Sequence, residues 1–310
     1  MKVLYDSKKF PKTISNPVVA LGNFDGVHAG HRAILEQVKK EAKLLRGTAC
    51  VYTFDPHPAK ILAPQIAPAL IQTLEQRLHW LESAGVDICV VEPFSTALSK
   101  WTPIEFCQSI LQTRLHAASV WVGFDFTFGV KRSGNTETLQ KFCQETKIKF
   151  HAVSPYFVEE TLVHSTQIRQ LIREGNVEEA AALLGHPFAL IGKVVKGAGI
   201  GGKTLGIHTA NLAAENELIP ATGVYITKTH TPQGDFPSAT NVGQNPTFPD
   251  KGFSIETHLL GFTGNLLHKK IEVSFLEWLR PEEKFSSPQA LAKQIQKDIL
   301  ATRKYHGLSK

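Results

Sequence analysis

The stretch Leu21-Gly22-Asn23-Phe24-Asp25-Gly26-Val27-His28-Ala29-Gly30-His31 comes directly after a short apolar run, residues 17–21. It opens a helical pattern over 30–45 that carries Ile34, Leu35, Val38 and Ala42 on one face. A glycine-rich turn from strand to helix is where a parallel sheet binds phosphate, because the first N–H groups of the helix are unpaired and carry the positive end of its dipole. Gly22, Gly26 and Gly30 allow the backbone to come close to a ligand. His28 and His31, three apart across the helix start, can turn toward one point, donate to phosphate oxygens and neutralise charge that builds up as a phosphoanhydride breaks. The plainer reading of the same residues is a turn with two surface histidines.

Outward from this turn, strand-like and helical runs alternate. Residues 48–54 read as a strand, 74–84 as a helix, 86–91 as a strand, 103–115 as a helix and 119–122 as a strand. Such alternation predicts an α/β, Rossmann-like domain with a parallel sheet and its ligands at the carboxyl ends of the strands. Residues 165–184 read as two short helices divided at Gly175, with Asn176 and Glu179 spaced as a capping box and Gly185 with Pro187 as a stop. From Phe188 the pattern turns β-rich, with strands expected at 190–195, 223–229, 237–242, 254–260 and 270–278, which predicts a small antiparallel barrel or sandwich. Ser287 as N-cap and Pro288 as first residue open a last helix with Leu291, Ile295 and Ile299 at spacing four. The expected domains are therefore residues 1–186 and 187–310.

The 310 residues suit about two domains of ordinary size. A 42% hydrophobic and 20% charged composition excludes disorder and collagen-like repeats, and four widely spaced cysteines exclude a disulfide scaffold. Cys50, Cys89, Cys107 and Cys143 form no C-x-x-C pair, so zinc is not expected and the thiols are read as buried and reduced. No run reaches the roughly 20 apolar residues of a membrane span, and the first residues lack an apolar signal core, so a cytoplasmic location and no membrane partner are expected. The net charge of +6 is scattered, with no basic stripe, zinc pattern or helix-turn-helix to suggest a nucleic-acid partner.

The H-x-G-H spacing of His28, Gly30 and His31 after a first strand is that of nucleotidyltransferases. The longer G-N-F-D-G-V-H-x-G-H string resembles the bacterial bifunctional riboflavin kinase and FAD synthetase family. Matching stretches continue at Thr53-Phe54-Asp55-Pro56-His57-Pro58, Gly85-Val86-Asp87 and Val122-Gly123-Phe124-Asp125-Phe126-Thr127-Phe128-Gly129. The resemblance implies ATP contacts from Gly22, Asn23, Phe24 and Asp25, and flavin contacts from Asp55, Gly123, Asp125, Phe126 and Phe128. Aromatics between two glycines suit stacking on a flat ring, although a core role for some of these phenylalanines is the alternative. Ser165, Thr166 and Arg169 match a family stretch that contacts ATP phosphates, with His164 where the family has serine. A plain N-cap with a solvated arginine is the other reading of that stretch.

In the second half, residues 197–204 satisfy the Walker A pattern letter for letter, yet no helical period succeeds them, so a P-loop fold is not expected. The same stretch resembles the flavokinase G-R-x-L-G-F-P-T-A-N-L segment. That resemblance implies ATP contacts from Gly197, Gly202, Lys203 and Thr209, and Mg²⁺ ligation by Thr209 and Asn211, whose hydroxyl and amide oxygens suit that ion. Glu256 stands at the family's catalytic glutamate, while a glutamate on an alternating strand is otherwise a solvent-facing residue. Asn241 and Arg280 lie in further matching stretches and are expected near the flavin.

The resemblance thus implies an α/β nucleotidyltransferase domain followed by a riboflavin kinase barrel with a C-terminal helix. The activities implied are MgATP-dependent phosphorylation of riboflavin to FMN, and adenylylation of FMN to FAD with release of pyrophosphate, with His28, His31 and Arg169 serving the second reaction and Glu256 the first. Departures gather in the barrel, where Ile207-His208 replaces Phe-Pro, Gly261 replaces aspartate, and Asn265-Leu266-Leu267-His268 replaces Asp-Leu-Tyr-Gly. The alternatives are an adenylyltransferase with a weakened or inactive kinase domain, and a flavin-binding protein without catalysis.

Overall fold

The computed structural model describes residues 1–197, 208–243 and 253–308. Two compact units divide the chain. The first comprises Met1–Ala69 with Leu74–His164, and the second Leu70–Thr73 with Ser165–Lys310.

The first unit is a six-stranded, all-parallel sheet of β1 (Lys2–Tyr5), β2 (Pro17–Leu21), β3 (Thr48–Asp55), β4 (Ile88–Pro93), β5 (Ser119–Gly123) and β6 (Lys149–Val153) in the order β1-β4-β3-β2-β5-β6. Every residue of β2 is buried, as a central parallel strand covered on both faces requires. Its side chains split by the two-residue period. Val18 and Ala20 pack with Ile34, Leu35, Val38 and Ala42 of α1 (Ala29–Leu44), while Val19 and Leu21 join Phe106, Ile110, Leu111, Leu139 and Phe142 on the other face. Further helices are α2 (Pro58–Leu62), α3 (Leu74–Ser83), α4 (Pro103–Phe106) and α5 (Thr136–Thr146), and a short two-stranded ribbon, β7 (Phe157–Val158) with β8 (Thr161–Leu162), comes after β6. The chain moves from β2 to one side through β3 and β4, then crosses to the other side at β5. That reversal opens a crevice beyond the carboxyl ends of β2 and β5, which is the general ligand position of such sheets.

The helix expected over 103–115 begins as the α-turn α4, under a Thr102–Glu105 capping box. It then widens, because Cys107–Arg114 is π-helical and the Leu115 N–H donates to the Ile110 carbonyl at 2.9 Å. All four cysteines are buried, and burial pushes the Cys50, Cys89 and Cys107 thiols up to about 12 and Cys143 to about 11, so none is a thiolate nucleophile.

The second unit opens with α6 (Ser165–Glu174) and α7 (Val177–Leu184). Asn176 precedes α7, but its side chain makes no cap bond. Its backbone, at φ −77° and ψ 61°, departs from the extended conformation that aims a capping oxygen, so the expected box is not formed. Six strands then close an antiparallel barrel in the order β10-β13-β12-β11-β14-β9: β9 (Phe188–Val195), β10 (Ala210–Ala214), β11 (Gly223–Thr231), β12 (Gly234–Gly243), β13 (Ser254–Leu259) and β14 (Lys270–Arg280). Thr227, Thr229, Ser238, Thr240 and Thr257 are fully buried and hydrogen-bond one another at 2.7–3.3 Å, a polar layer whose hydroxyls pair among themselves. The C-terminal helix, Pro288–Tyr305, starts as expected, with Ser287 accepting from the Ala290 N–H at 3.2 Å. Among the described residues its buried groups are Asp298 and Thr302 rather than the apolar residues at spacing four.

Candidate active sites

The turn after β2 is held in an uncommon conformation. Phe24 (φ 52°), Gly26 (φ 89°) and Val27 (φ 39°) all lie in the left-handed region, which is costly for a β-branched residue and persists only where packing enforces it. Phe24 and Val27 are buried, and the Val27 N–H donates to the Phe24 carbonyl at 3.1 Å. The turn presents His28 as the N-cap of α1, with Nδ1 accepting from the His31 N–H at 3.3 Å. Acceptance at Nδ1 puts the proton of a neutral His28 on Nε2. The two imidazoles stack at 3.5 Å and 15°, and the Phe24 ring lies 5.0 Å from His31. Burial first, and the neighbouring His28 second, hold the His31 pKa well below 6.5. The surface-histidine reading therefore fails, since His28 is buried and His31 Nδ1 is a buried atom with no hydrogen-bond partner among the described residues.

The Gly22–Asp25 segment is anchored through the Asn23 carbonyl, which accepts from the Thr53 hydroxyl at 3.0 Å and from Arg77 Nη1 at 2.9 Å. Asp25 is buried. Arg77, on α3, does not stand out as a site residue in the sequence. The one signal for it is its place at apolar spacing, between Leu74 and Leu81 on the face that packs inward. Asp55, at the exposed end of β3, lies 3.9 Å from Arg77 Nη2.

The loop after β5 divides its aromatics. Phe128 is buried, contacts Phe106 at 5.5 Å and stacks on the half-buried Phe126 at 5.4 Å, so these two expected flavin contacts are also core residues. Phe124 is the exposed ring, at 42%, and Asp125 is exposed beside it. Ser165, Thr166 and Arg169 form the first turns of α6, within the second unit. Arg169 is buried on the same side as Ile168 and Ile172, which excludes a plain solvated arginine.

In the barrel, strand register gathers the candidates. Asn211 on β10 is paired with Glu256 on β13, and Glu256 with Asn241 on β12, so the three side chains form one row on one face of the wall. On β13, Ile255, Thr257 and Leu259 are buried and alternate with Ser254, Glu256 and His258, which are not. The Thr209 hydroxyl donates to Glu256 Oε2 at 3.2 Å, and the Ser254 hydroxyl donates to Oε1 at 3.3 Å. A Cβ on Gly197 would collide with the Asn211 side-chain amide, so a larger residue there would displace that amide. Glu282, which in the sequence belongs only to a matching stretch around Arg280, accepts from Asn241 Nδ2 at 3.1 Å. The Arg280 guanidinium forks onto Asp298 at 2.8–3.3 Å and caps the Phe285 ring, which ties β14 to the C-terminal helix. Gly202, Lys203 and most of the Walker-like stretch lie outside the described residues. The strands on either side, β9 and β10, belong to a closed antiparallel barrel rather than to the parallel sheet of a P-loop fold.

The departures from the family pattern fall in turns. Gly261 has φ 74° in open surroundings, and Asn265 Oδ1 accepts from the Leu267 N–H at 2.8 Å, a bond that an aspartate carboxylate would also make. His268 has φ 64° where the family pattern has glycine.

Comparison with known proteins gives matches to both halves. A family model described as FAD synthetase matches residues 10–167, and one described as riboflavin kinase matches residues 184–306. A bifunctional riboflavin kinase/FMN adenylyltransferase of Escherichia coli K12 is 33% identical over 294 residues, 94% of each chain. A protein of the same description from Listeria monocytogenes is 35% identical over 293 residues, 94% of this chain and 92% of the relative. The crystal structure of a macrolide-efflux protein from Streptococcus pneumoniae is 29% identical and covers 98% of this chain and 99% of its own, with a TM-score of 0.86. Among the described residues here, no helix is long and apolar enough to cross a membrane.

Proposed function

Because the chain belongs to the bifunctional riboflavin kinase/FMN adenylyltransferase family, we propose that its barrel phosphorylates riboflavin with ATP and its α/β unit adenylylates the resulting FMN, each through its own set of side chains. The observation that carries the reading is the coexistence on one chain of two unlike sites, each suited to a different nucleophile. An alcohol must lose a proton as it attacks, and the Glu256 carboxylate, steadied by Thr209 and Ser254, is the group that accepts it from the ribityl 5′-hydroxyl as the γ-phosphoryl group moves and ADP leaves. A phosphate monoester is already an anion and needs no base. In the α/β unit the work is to align FMN with the α-phosphorus and to meet charge on departing pyrophosphate, for which His28 Nε2–H and His31 stand at the helix start. Ser165, Thr166 and Arg169 are proposed to hold ATP phosphates, and Asp55, Gly123 and Asp125 to border the flavin.

Thr209 and Asn211 offer hydroxyl and amide oxygens, donors that fit Mg²⁺, beside the Glu256 carboxylate. When bound there, the ion would neutralise charge on the ATP phosphates. The reading of a disabled kinase domain is disfavoured, because the riboflavin kinase match runs through residues 184–306 and Asn265 retains a turn bond open to the aspartate it replaces. A cytoplasmic location accompanies the proposal. The test is to incubate the protein with riboflavin and MgATP, and separately with FMN and MgATP, and to separate the flavins by chromatography. FAD from both mixtures is expected; FAD from FMN alone would leave only the adenylyltransferase, and no new flavin in either would leave a binding protein.

A further inference from the structure

Arg77 is buried at 4% exposure on α3, away from the H-x-G-H turn in sequence, and it spends its guanidinium on two backbone carbonyls. Nη1 donates to the carbonyl of Asn23, in the turn after β2, at 2.9 Å. Nη2 donates to the carbonyl of Phe54, at the end of β3, at 3.0 Å and lies 3.9 Å from the Asp55 carboxylate. One planar fork therefore joins the turn after β2 to the end of β3 at the carboxyl edge of the sheet, the first on the side read as ATP-binding and the second on the side read as flavin-binding. We infer that Arg77 is a positioning residue for adenylyl transfer, fixing the spacing between the Asn23 turn and the Phe54–Asp55 strand end so that the nucleotide and the flavin phosphate meet in line.

The energetics argue against a merely structural role. A buried guanidinium is expensive, and the Nε of Arg77 has no hydrogen-bond partner among the described residues, so part of that cost is uncompensated. Joining a helix to a sheet needs no charge, since Leu74, Leu78 and Leu81 on the same helix pack against the sheet without one. What an apolar side chain cannot do is hold two carbonyls at once. Burial lowers the Arg77 pKa from its usual value and the Asp25 and Asp55 carboxylates offset part of that, while a guanidinium stays charged in any case. The turn it secures is the one held at positive φ through Phe24 and Val27, where small relaxations would move His28 and His31 away from the reacting atoms.

This inference rests on the adenylyltransferase reading, and the experiment separates the two. Wild-type protein is assayed first for FAD formation from FMN and ATP; absence of FAD there sinks the function, not the role of Arg77. With wild-type activity established, Arg77→Met is expected to raise the KM for ATP and the KM for FMN together, each by about tenfold or more, while riboflavin phosphorylation by the same sample stays at the wild-type rate. Arg77→Lys, which keeps a charge and donors for both carbonyls, is expected to recover most of the loss. Thr53→Val removes only the other donor to the Asn23 carbonyl and is expected to raise the KM for ATP while leaving that for FMN. Wild-type KM values in Arg77→Met, measured well below its unfolding temperature, would overturn the inference. Should Arg77→Met not fold, equal changes in both KM values for Thr53→Val would overturn it in the same way.

Discussion

The two candidate sites are built by opposite means. In the α/β unit the candidate groups are two stacked imidazoles, His28 buried and His31 half-buried, on a turn that packing holds in the left-handed region at Phe24 and Val27. In the barrel they are half-exposed side chains on regular strands, aligned by the register Asn211–Glu256–Asn241. A strained turn brings backbone N–H groups and side chains together around an anion, which suits a phosphate nucleophile. A ladder of strands sets side chains about 5 Å apart in a fixed row, which suits a carboxylate that must meet a single hydroxyl among several on a polyol chain.

If that contrast is right, the two activities separate cleanly. Glu256→Gln is expected to cut riboflavin phosphorylation by roughly 10²–10⁴ and leave FMN adenylylation unchanged. His31→Ala is expected to do the reverse, with a loss of about 10²–10³ in FAD formation. Steady-state assays of both reactions on each variant check this, and joint loss of both activities in a folded variant would break the comparison.

The next effect in size concerns stability. Arg280 and Asp298 form a largely buried bidentate pair, so Asp298→Ala is expected to lower the stability of the barrel unit by about 3 kcal/mol, read by urea unfolding.

A third difference is in pH response. Because the folded His31 pKa lies below its unfolded value of 6.5, the folded state binds fewer protons there than the unfolded chain. The stability this contributes is complete above pH 6.5 and is lost as pH falls below it toward the folded pKa. The melting temperature of the wild type should therefore fall on acidification below 6.5 more steeply than that of His31→Gln. Equal slopes would remove the buried imidazole from the account.

The smallest effect tests whether the departures in the barrel matter. His268 holds φ 64° without being glycine, so His268→Gly is expected to stabilise by about 0.5 kcal/mol and leave kinase turnover as it is. A large gain in turnover would instead restore the reading of a weakened kinase.

Much of the fold is legible in the residues. The continuous apolar run of β2, the alternation after it and the change of texture at Phe188 predict the parallel sheet and the antiparallel β-unit, because burial imposes a period that composition records. The strands β1 and β6 and the helix α5 are not legible in the same way. An edge strand such as β6 buries too little to show an apolar pattern, and α5 carries only Leu139, Phe142 and Cys143 inward. Asn176 has the composition of a cap without the backbone to form one. Leu291, Ile295 and Ile299 have an apolar spacing, yet the buried groups of that helix among the described residues are Asp298 and Thr302, since an arginine on β14 supplies what the aspartate needs.

The chemistry divides in the same way. His28 and His31 stand out in the linear chain through a glycine-rich turn at a helix start, whereas Thr209, Asn211 and Glu256 stand out only through the family resemblance of their stretches. Closure of the β-unit as a barrel, the crossing of the chain at β2, the row that joins Asn211 to Asn241 through Glu256, and the fork of Arg77 onto Asn23 and Phe54 come only from the tertiary structure. Local patterns record what a residue's near neighbours demand of it. Which strands become neighbours, and which buried arginine finds two carbonyls, is decided by long-range packing that no window of sequence contains.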